Sequence, residues 1–188
     1  MLSIKEKKLE MLYQFYAANG DKLTMEAIAE GIGITPKTIF NRYHTREEME
    51  QVLQNHWRGQ VLLQLDKKLE FCNNSVEKLL FFINELLASQ NSTACFFERE
   101  MAMRADFTNT PDPVFANFVQ KIIDSDSDHE IFSDSFNPEI YSHYFIYFIF
   151  NILSKNKDAQ YVDFLLKPVL TQVGADILAD IDVARLLD

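Results

Sequence analysis

The sequence predicts an all-α fold, and three observations carry that prediction. Apolar residues recur at three- and four-residue spacings along nearly all of the 188 residues, which is the repeat of one helix face. No segment alternates apolar and polar residues over the length of a strand, as a half-buried sheet would require. Glycine and proline number only five each, which disfavours a loop-rich β sandwich. With 47% hydrophobic residues the chain builds a sizeable core, which excludes collagen-like and disordered classes.

The elements follow in order. Leu9, Leu12, Phe15 and Tyr16 mark one face of a first helix that ends at Asn19-Gly20. Thr24 opens a short second helix, Met25 to Ile32, with Ile28 inward and Gly33 just past its end. Thr35-Pro36 is a start signal, Thr as N-cap and Pro at the first position, where no N–H is needed; this third helix runs to about Tyr43. Thr45 caps a fourth, and Glu48 three residues on makes Thr-Arg-Glu-Glu a capping box. Glu47, Glu48 and Glu50 suit the positive end of that helix. Met49, Val52, Leu53, Trp57, Val61, Leu62 and Leu65 continue the pattern towards Phe71 and predict two helices with a bend near Gly59. Helices are then expected from Val76 to Ser89, from Ala94 to Phe107 after a polar break at Gln90–Thr93, and from Thr110-Pro111-Asp112-Pro113 to Asp124. An acidic loop reaches Phe136. Pro138 opens Glu139 to Ser154, and a last helix spans Asp158 to Asp180, kinked or split at Pro168.

Several function classes find no support. Cys72 and Cys95 stand in no CxxC pair and are too few for a disulfide framework; they read as buried thiols of a reducing compartment. Met1 to Glu10 alternates charge without the apolar stretch of a leader. The most apolar run, residues 140–153, contains Ser142, His143 and Asn151 and falls short of the roughly 20 residues of a membrane span. A cytoplasmic protein with no membrane partner is expected. Asp124, Asp126 and Asp128 imitate the opening of a calcium loop, but His129 replaces the glycine at its sixth position and Ser135 the glutamate at its twelfth, so no metal and no cofactor is expected. The sequence contains no G-x-S-x-G, P-loop or G-x-G-x-x-G, and no enzyme activity is expected.

Three short helices and a long one within the first 58 residues, the second and third joined by a short turn containing Gly33, have the layout of a helix-turn-helix. Thr24 to Met49, TMEAIAEGIGITPKTIFNRYHTREEM, resembles the signature of TetR/AcrR-family transcriptional regulators. That signature has T-x-x-x-I-A-x-x-x-G-V-S at the turn, T-L-Y-x-H-F along the recognition helix and S-K-x-x-L at the start of helix four. Ile28-Ala29, Gly33-Ile34-Thr35, Thr38-Ile39-Phe40, Arg42-Tyr43, Thr45-Arg46 and Met49 match it without a gap. The resemblance covers residues 5–55. It implies a DNA-binding domain over 1–48 and a helical ligand-binding and dimerisation domain over 49–188.

By that resemblance Pro36, Lys37, Thr38 and Asn41 meet base edges of double-stranded DNA. Lys37 would donate to guanine, Asn41 to adenine, and Thr38 would touch a thymine methyl. Thr24, Thr35, Arg42 and Arg46 would hold phosphates, while Ile28, Ile34, Ile39 and Tyr43 are core. Phe40 departs from the family's tyrosine and loses a phosphate contact. Arg42 replaces a histidine with a permanent cation, and Arg46 replaces a lysine.

The net charge of −10 opposes DNA binding at first sight. Yet in residues 1–58 the basic residues Lys5, Lys7, Lys8, Lys22, Lys37, Arg42, Arg46 and Arg58 are matched one for one by acidic ones, so the whole excess of acid lies in 59–188. The second domain, by the resemblance, binds a small-molecule effector of unknown identity and pairs with a second copy. Trp57, Phe81, Phe82, Phe96, Phe97, Met101 and Met103 are candidates for the pocket, with Glu98, Glu100 and Arg104 read either as its polar anchors or, the preferred reading, as a solvated face. Residues 139–154 are apolar on nearly all sides, so a homodimer interface is expected on Tyr141, Tyr144, Phe145, Phe148, Ile152, Tyr161, Leu165, Val169 and Val173. The function expected is a ligand-responsive transcriptional repressor that binds a near-palindromic operator as a dimer. The alternative is an acidic helical homodimer that binds a ligand or a protein and no DNA, a reading favoured by Phe40 and the neutral head.

Overall fold

Side-chain caps start most of the helices in the computed structural model, which describes residues 4–103, 113–126, 130–156 and 158–187. After α1 (Ile4–Asn19) and a 3-10 turn (Gly20–Lys22), the Thr24 hydroxyl accepts from Ala27 N to open α2 (Met25–Gly31), and Thr35 accepts from Thr38 N to open α3 (Pro36–Arg42). Thr45 accepts from Glu48 N at the start of α4 (Arg46–Leu69), and the Glu48 carboxylate reaches back to the backbone N–H of His44 at 3.0 Å. The reciprocal arm of the capping box thus closes one residue before the N-cap. Asn74 opens α5 (Ser75–Ser92); α6 (Ala94–Met103) and α7 (Val114–Asp124) follow. Asn137 opens α8 (Pro138–Phe148), which widens into a π turn over Ile149–Leu153. Asp158 opens α9 (Ala159–Leu166), Thr171 opens α10 (Gln172–Ala179), and α11 (Val183–Leu187) ends the described chain.

Three elements differ from the sequence reading, and a fourth, the split at Pro168, is as expected. α4 is one helix rather than two. An added Cβ at Gly59 would meet nothing within 4 Å, and although glycine costs about 1 kcal/mol in a helix interior, Leu53, Trp57, Val61 and Leu65 are buried on both sides of it and hold the helix through. α5 runs across the expected polar break because its hydroxyls bond backwards: Ser89 Oγ to Leu86 O and Thr93 Oγ1 to Ser89 O. The last long helix is split, as a proline allows. A 3-10 turn (Lys167–Val169) carries Pro168, Leu170 is extended, and Leu170 bridges Phe132. There Gly174 lies so close to Ile131 O that a Cβ would sit 2.5 Å from it. α11, where the reading ended at Asp180, is held by Val183, buried against α5 and α9.

The expected ends at Phe107, Thr110, Pro111 and Asp112, and Arg104, Asp128 and His129, lie outside the described residues. Asp126 closes its loop by accepting from the backbone N–H of Ile131 and of Phe132 at 3.0 Å each. Cys72 and Cys95 are thiols rather than a disulfide, and half-buried rather than enclosed. No helix among the described residues is long and apolar enough to cross a membrane.

One core runs through the molecule. α1 packs on α4 and carries α2 and α3 as a small head, while α5, α6 and α7 pack on α4 and hold the later helices in a larger body. Phe96 of α6 joins the two, stacked 5.1 Å from Tyr13 of the head and 6.4 Å from Trp57.

Candidate nucleic-acid interface and the polar groups behind it

The turn between α2 and α3 sets the direction of α3. Gly33 takes φ +72°, a left-handed conformation that side chains other than glycine's resist. Gly33 N donates to Glu30 O (3.0 Å) and Ile34 N to Ala29 O (2.9 Å). These two bonds are a Schellman closure of α2, and they turn the chain into the Thr35 cap. Ile39 and Tyr43 then bury one face of α3 with Ile28 and Ala29 of α2. That leaves Pro36, Lys37, Thr38, Asn41 and Arg42 exposed together on the other face. Thr24 and Thr35, also exposed, hold the first amides of the two helices. Thr35 Oγ1 and Thr38 Oγ1 are 2.9 Å apart, and the Arg42 guanidinium stands 5.3 Å over the Tyr43 ring. Phe40 is 39% exposed and offers no hydroxyl.

Arg46 is placed differently from the other phosphate candidates. Its Nε donates to Glu50 Oε1 (2.6 Å) and its Nη1 to Leu23 O (2.5 Å), so the guanidinium ties α4 to the strand-like segment before α2. Glu50 also accepts from Tyr16 Oη (2.9 Å) and pairs with Arg99 of α6. Glu50, read in the sequence only as a match for the positive end of α4, is therefore a buried junction of head and body. Burial opposes its charge, but the hydrogen bonds from Arg46, Tyr16 and Arg99 prevail and hold its carboxyl below the ordinary value of 4.5; burial and Glu50 push the Tyr16 phenol up to about 12.

A carboxylate with a depressed folded pKa stabilises above its unfolded pKa, and that contribution is lost as pH falls through the folded value. Glu50→Gln is therefore expected to have a shallower loss of stability than the natural chain as pH falls below about 4.5, read from urea midpoints. An equal acid slope in both proteins would refute the junction's role.

In the body, Trp57, Phe82, Phe96 and Phe97 are fully buried. Trp57 and Phe82 meet the edge of Phe115, Phe97 lies 4.8 Å from Phe150, and Trp57 Nε1 donates to Thr93 Oγ1 at 2.8 Å. Phe81 lies apart from this group, half-buried under Lys68, and Met103 is 37% exposed. Met101 is half-buried against the core and Glu98 is exposed.

Glu100 is not on a solvated face: it is fully enclosed, and its Oε2 accepts from Arg58 Nε (2.9 Å) and Gln54 Nε2 (2.8 Å). Gln54 Nε2 also donates to Phe96 O, while its own buried Oε1 has no partner. A signal for this cluster stood in the sequence: Glu50, Gln54 and Arg58 repeat every four residues beside the apolar stripe of α4, and Glu100 lies one turn from Phe96 and Phe97.

Of the expected interface residues, Tyr141, Phe145, Phe148, Leu165 and Val169 are enclosed by the chain's own helices; Tyr141 Oη donates to Leu165 O at 2.8 Å. They have almost no surface left for a partner. Tyr144, Ile152 and Tyr161 remain half-buried and Val173 is 51% exposed. Phe164, absent from the sequence reading, is 63% exposed and stacked on Phe148.

No protein-family model and no curated protein matches the sequence. The fold has solved counterparts. RolR in complex with resorcinol is similar at TM-score 0.72 and 14% identity, over 98% of this chain and 92% of that one. The ketosteroid transcriptional regulator KstR2 of Mycobacterium tuberculosis is similar at TM-score 0.53 and 13% identity, over 92% and 97%. A structure described as a TetR-family transcriptional regulator from Rhodococcus sp. is similar at TM-score 0.52 and 13% identity, over 98% of each chain. The fold is all-α and of the TetR type.

Proposed function

We propose that the protein is a ligand-responsive transcriptional repressor that binds a near-palindromic operator as a dimer. Residues 1–48 are its DNA-binding head and 49–188 its ligand and dimer domain. The observation that carries this reading is the exposed row Pro36, Lys37, Thr38 and Asn41 on a helix aimed by the Gly33 turn, in a fold shared with transcriptional regulators. Thr24, Thr35 and Arg42 hold phosphates; Arg46, engaged with Glu50 and Leu23 O, acts by positioning α4. The effector lies in the body among Trp57, Phe82 and Phe97, whose rings are closed on Phe115 and Phe150 and must part to admit it. RolR was solved with resorcinol; a small aromatic ligand would suit the ring-lined interior here. Effector binding favours a head spacing that no longer fits successive grooves, and the protein leaves the DNA.

Selection of genomic fragments by the purified protein tests the reading. Recovery of a fragment with paired half-sites about one helical turn apart, bound less tightly as salt rises, is the expected result. No fragment, or binding indifferent to salt, would leave the acidic ligand- or protein-binding homodimer suggested by Phe40 and the neutral head.

The dimer face is Tyr144, Ile152, Tyr161, Phe164 and Val173. Phe164→Glu is expected to give monomers by native mass with the helical content unchanged, since the side chain is exposed within one protomer. A surviving dimer would place the interface elsewhere.

A further inference from the structure

The head holds a cavity of about 280 Å³, at the lower end of the roughly 300 Å³ and upward of small-molecule sites. It lies between α1, the α2–α3 turn and the inner side of α3. Its floor is aliphatic: Leu12 and Ile39 are buried there, and Met11, Ile32 and Ile34 form the walls. Its rim carries Lys8 and Arg42, and none of its lining residues is acidic. Tyr43 also lines it and is otherwise buried.

We infer that this cavity binds an amphipathic organic anion, a carboxylate on a short hydrocarbon chain or ring. The hydrocarbon covers the aliphatic floor, where it leaves water. The carboxylate lies between Lys8 and Arg42, which donate charge-assisted bonds to it. A DNA phosphate would meet the same cations but would leave the aliphatic floor uncovered.

The site is separate from the effector site proposed in the body. Its consequence for DNA rests on the function proposed above: Arg42 and Thr38 belong both to the cavity lining and to the DNA-facing helix. An occupant would therefore take the Arg42 charge from a phosphate and displace DNA by direct competition.

The test uses the full chain with labelled isoleucine methyl groups and three ten-carbon probes below their micelle concentrations: decanoate, decanol and decyltrimethylammonium. Decanoate is expected to shift the methyl signals of Ile32, Ile34 and Ile39 saturably, about tenfold more tightly than decanol, since its carboxylate adds charge-assisted hydrogen bonds. The ammonium should not bind there. Lys8→Gln should weaken decanoate about tenfold. Shifts confined to body residues such as Ile83, Ile122 and Ile146, or equal head shifts with all three probes, would overturn the inference.

These readouts need no DNA, so they stand or fall apart from the operator experiment. With an operator in hand, decanoate should release it from the natural chain at concentrations that leave Lys8→Gln bound. Retention of DNA by a head saturated with decanoate would overturn the competition.

Discussion

Glu100→Ala is expected to destabilise the protein by about 3–5 kcal/mol, the usual cost of removing one partner of a buried ion pair. Glu100 is fully enclosed, the Arg58 side chain is 4% exposed, and their closest contacts are 2.8–2.9 Å. The substitution would leave the Arg58 charge deep between α4 and α6 without its carboxylate, and Gln54 Nε2 without its 2.8 Å acceptor. Urea unfolding followed by circular dichroism measures the loss. The double variant Arg58→Met with Glu100→Met should recover most of it, since paired apolar replacements of a buried ion pair are often neutral or better. A cost below about 1 kcal/mol for Glu100→Ala, the range of an exposed pair, would show that water reaches the pair and that the two helices are not sealed there.

Lys37→Ala combined with Arg42→Ala is expected to weaken operator binding about a hundredfold, from about 1–3 kcal/mol for a base contact plus the loss of a phosphate contact. Both side chains are exposed, so the unfolding midpoint should stay where it was. The two single variants separate the roles. Arg42→Ala should weaken all sequences alike and reduce the slope of log affinity against log salt by about one. Lys37→Ala should keep most of the slope and relax preference at one base pair of each half-site. Because the head has no net charge, a broad basic patch cannot mask the loss. A double variant that binds the selected fragment as well as the natural chain would remove α3 from the DNA interface.

The start of most helices was legible because it depends on neighbours in sequence. Thr24, Thr35 and Thr45 cap the helices that follow them, and Gly33 has the positive φ that its place after α2 suggested. Pro168 splits the last long helix for the same local reason: it has no N–H to continue the ladder. Gly59 shows the limit of local reasoning. Its preference against helix is real but about 1 kcal/mol, and the tertiary burial of Trp57 and Val61 on either side overrides it.

The interior of the candidate sites was less legible. Glu100 read as solvated because acidic residues are rarely enclosed and Glu50 only as a match for the helix dipole, and only the approach of α6 to α4 supplied Arg58 and Arg99 as partners. The apolar run of α8 read as a subunit interface because it is apolar on nearly all sides. The structure covers much of it with α7 and α9 of the same chain, leaving Phe164 and its neighbours as the outer face.

By itself the sequence determined that the chain is helical, where most helices begin, how the α2–α3 turn is made and which side of α3 faces outward. Those depend on spacing and on bonds between residues a few positions apart. The tertiary structure alone decided which charges are buried in pairs, which aromatic rings are core, and where the head is left with an open, cation-rimmed cavity. Each of these depends on what a distant helix brings against a face, and periodicity identifies a face without identifying what covers it.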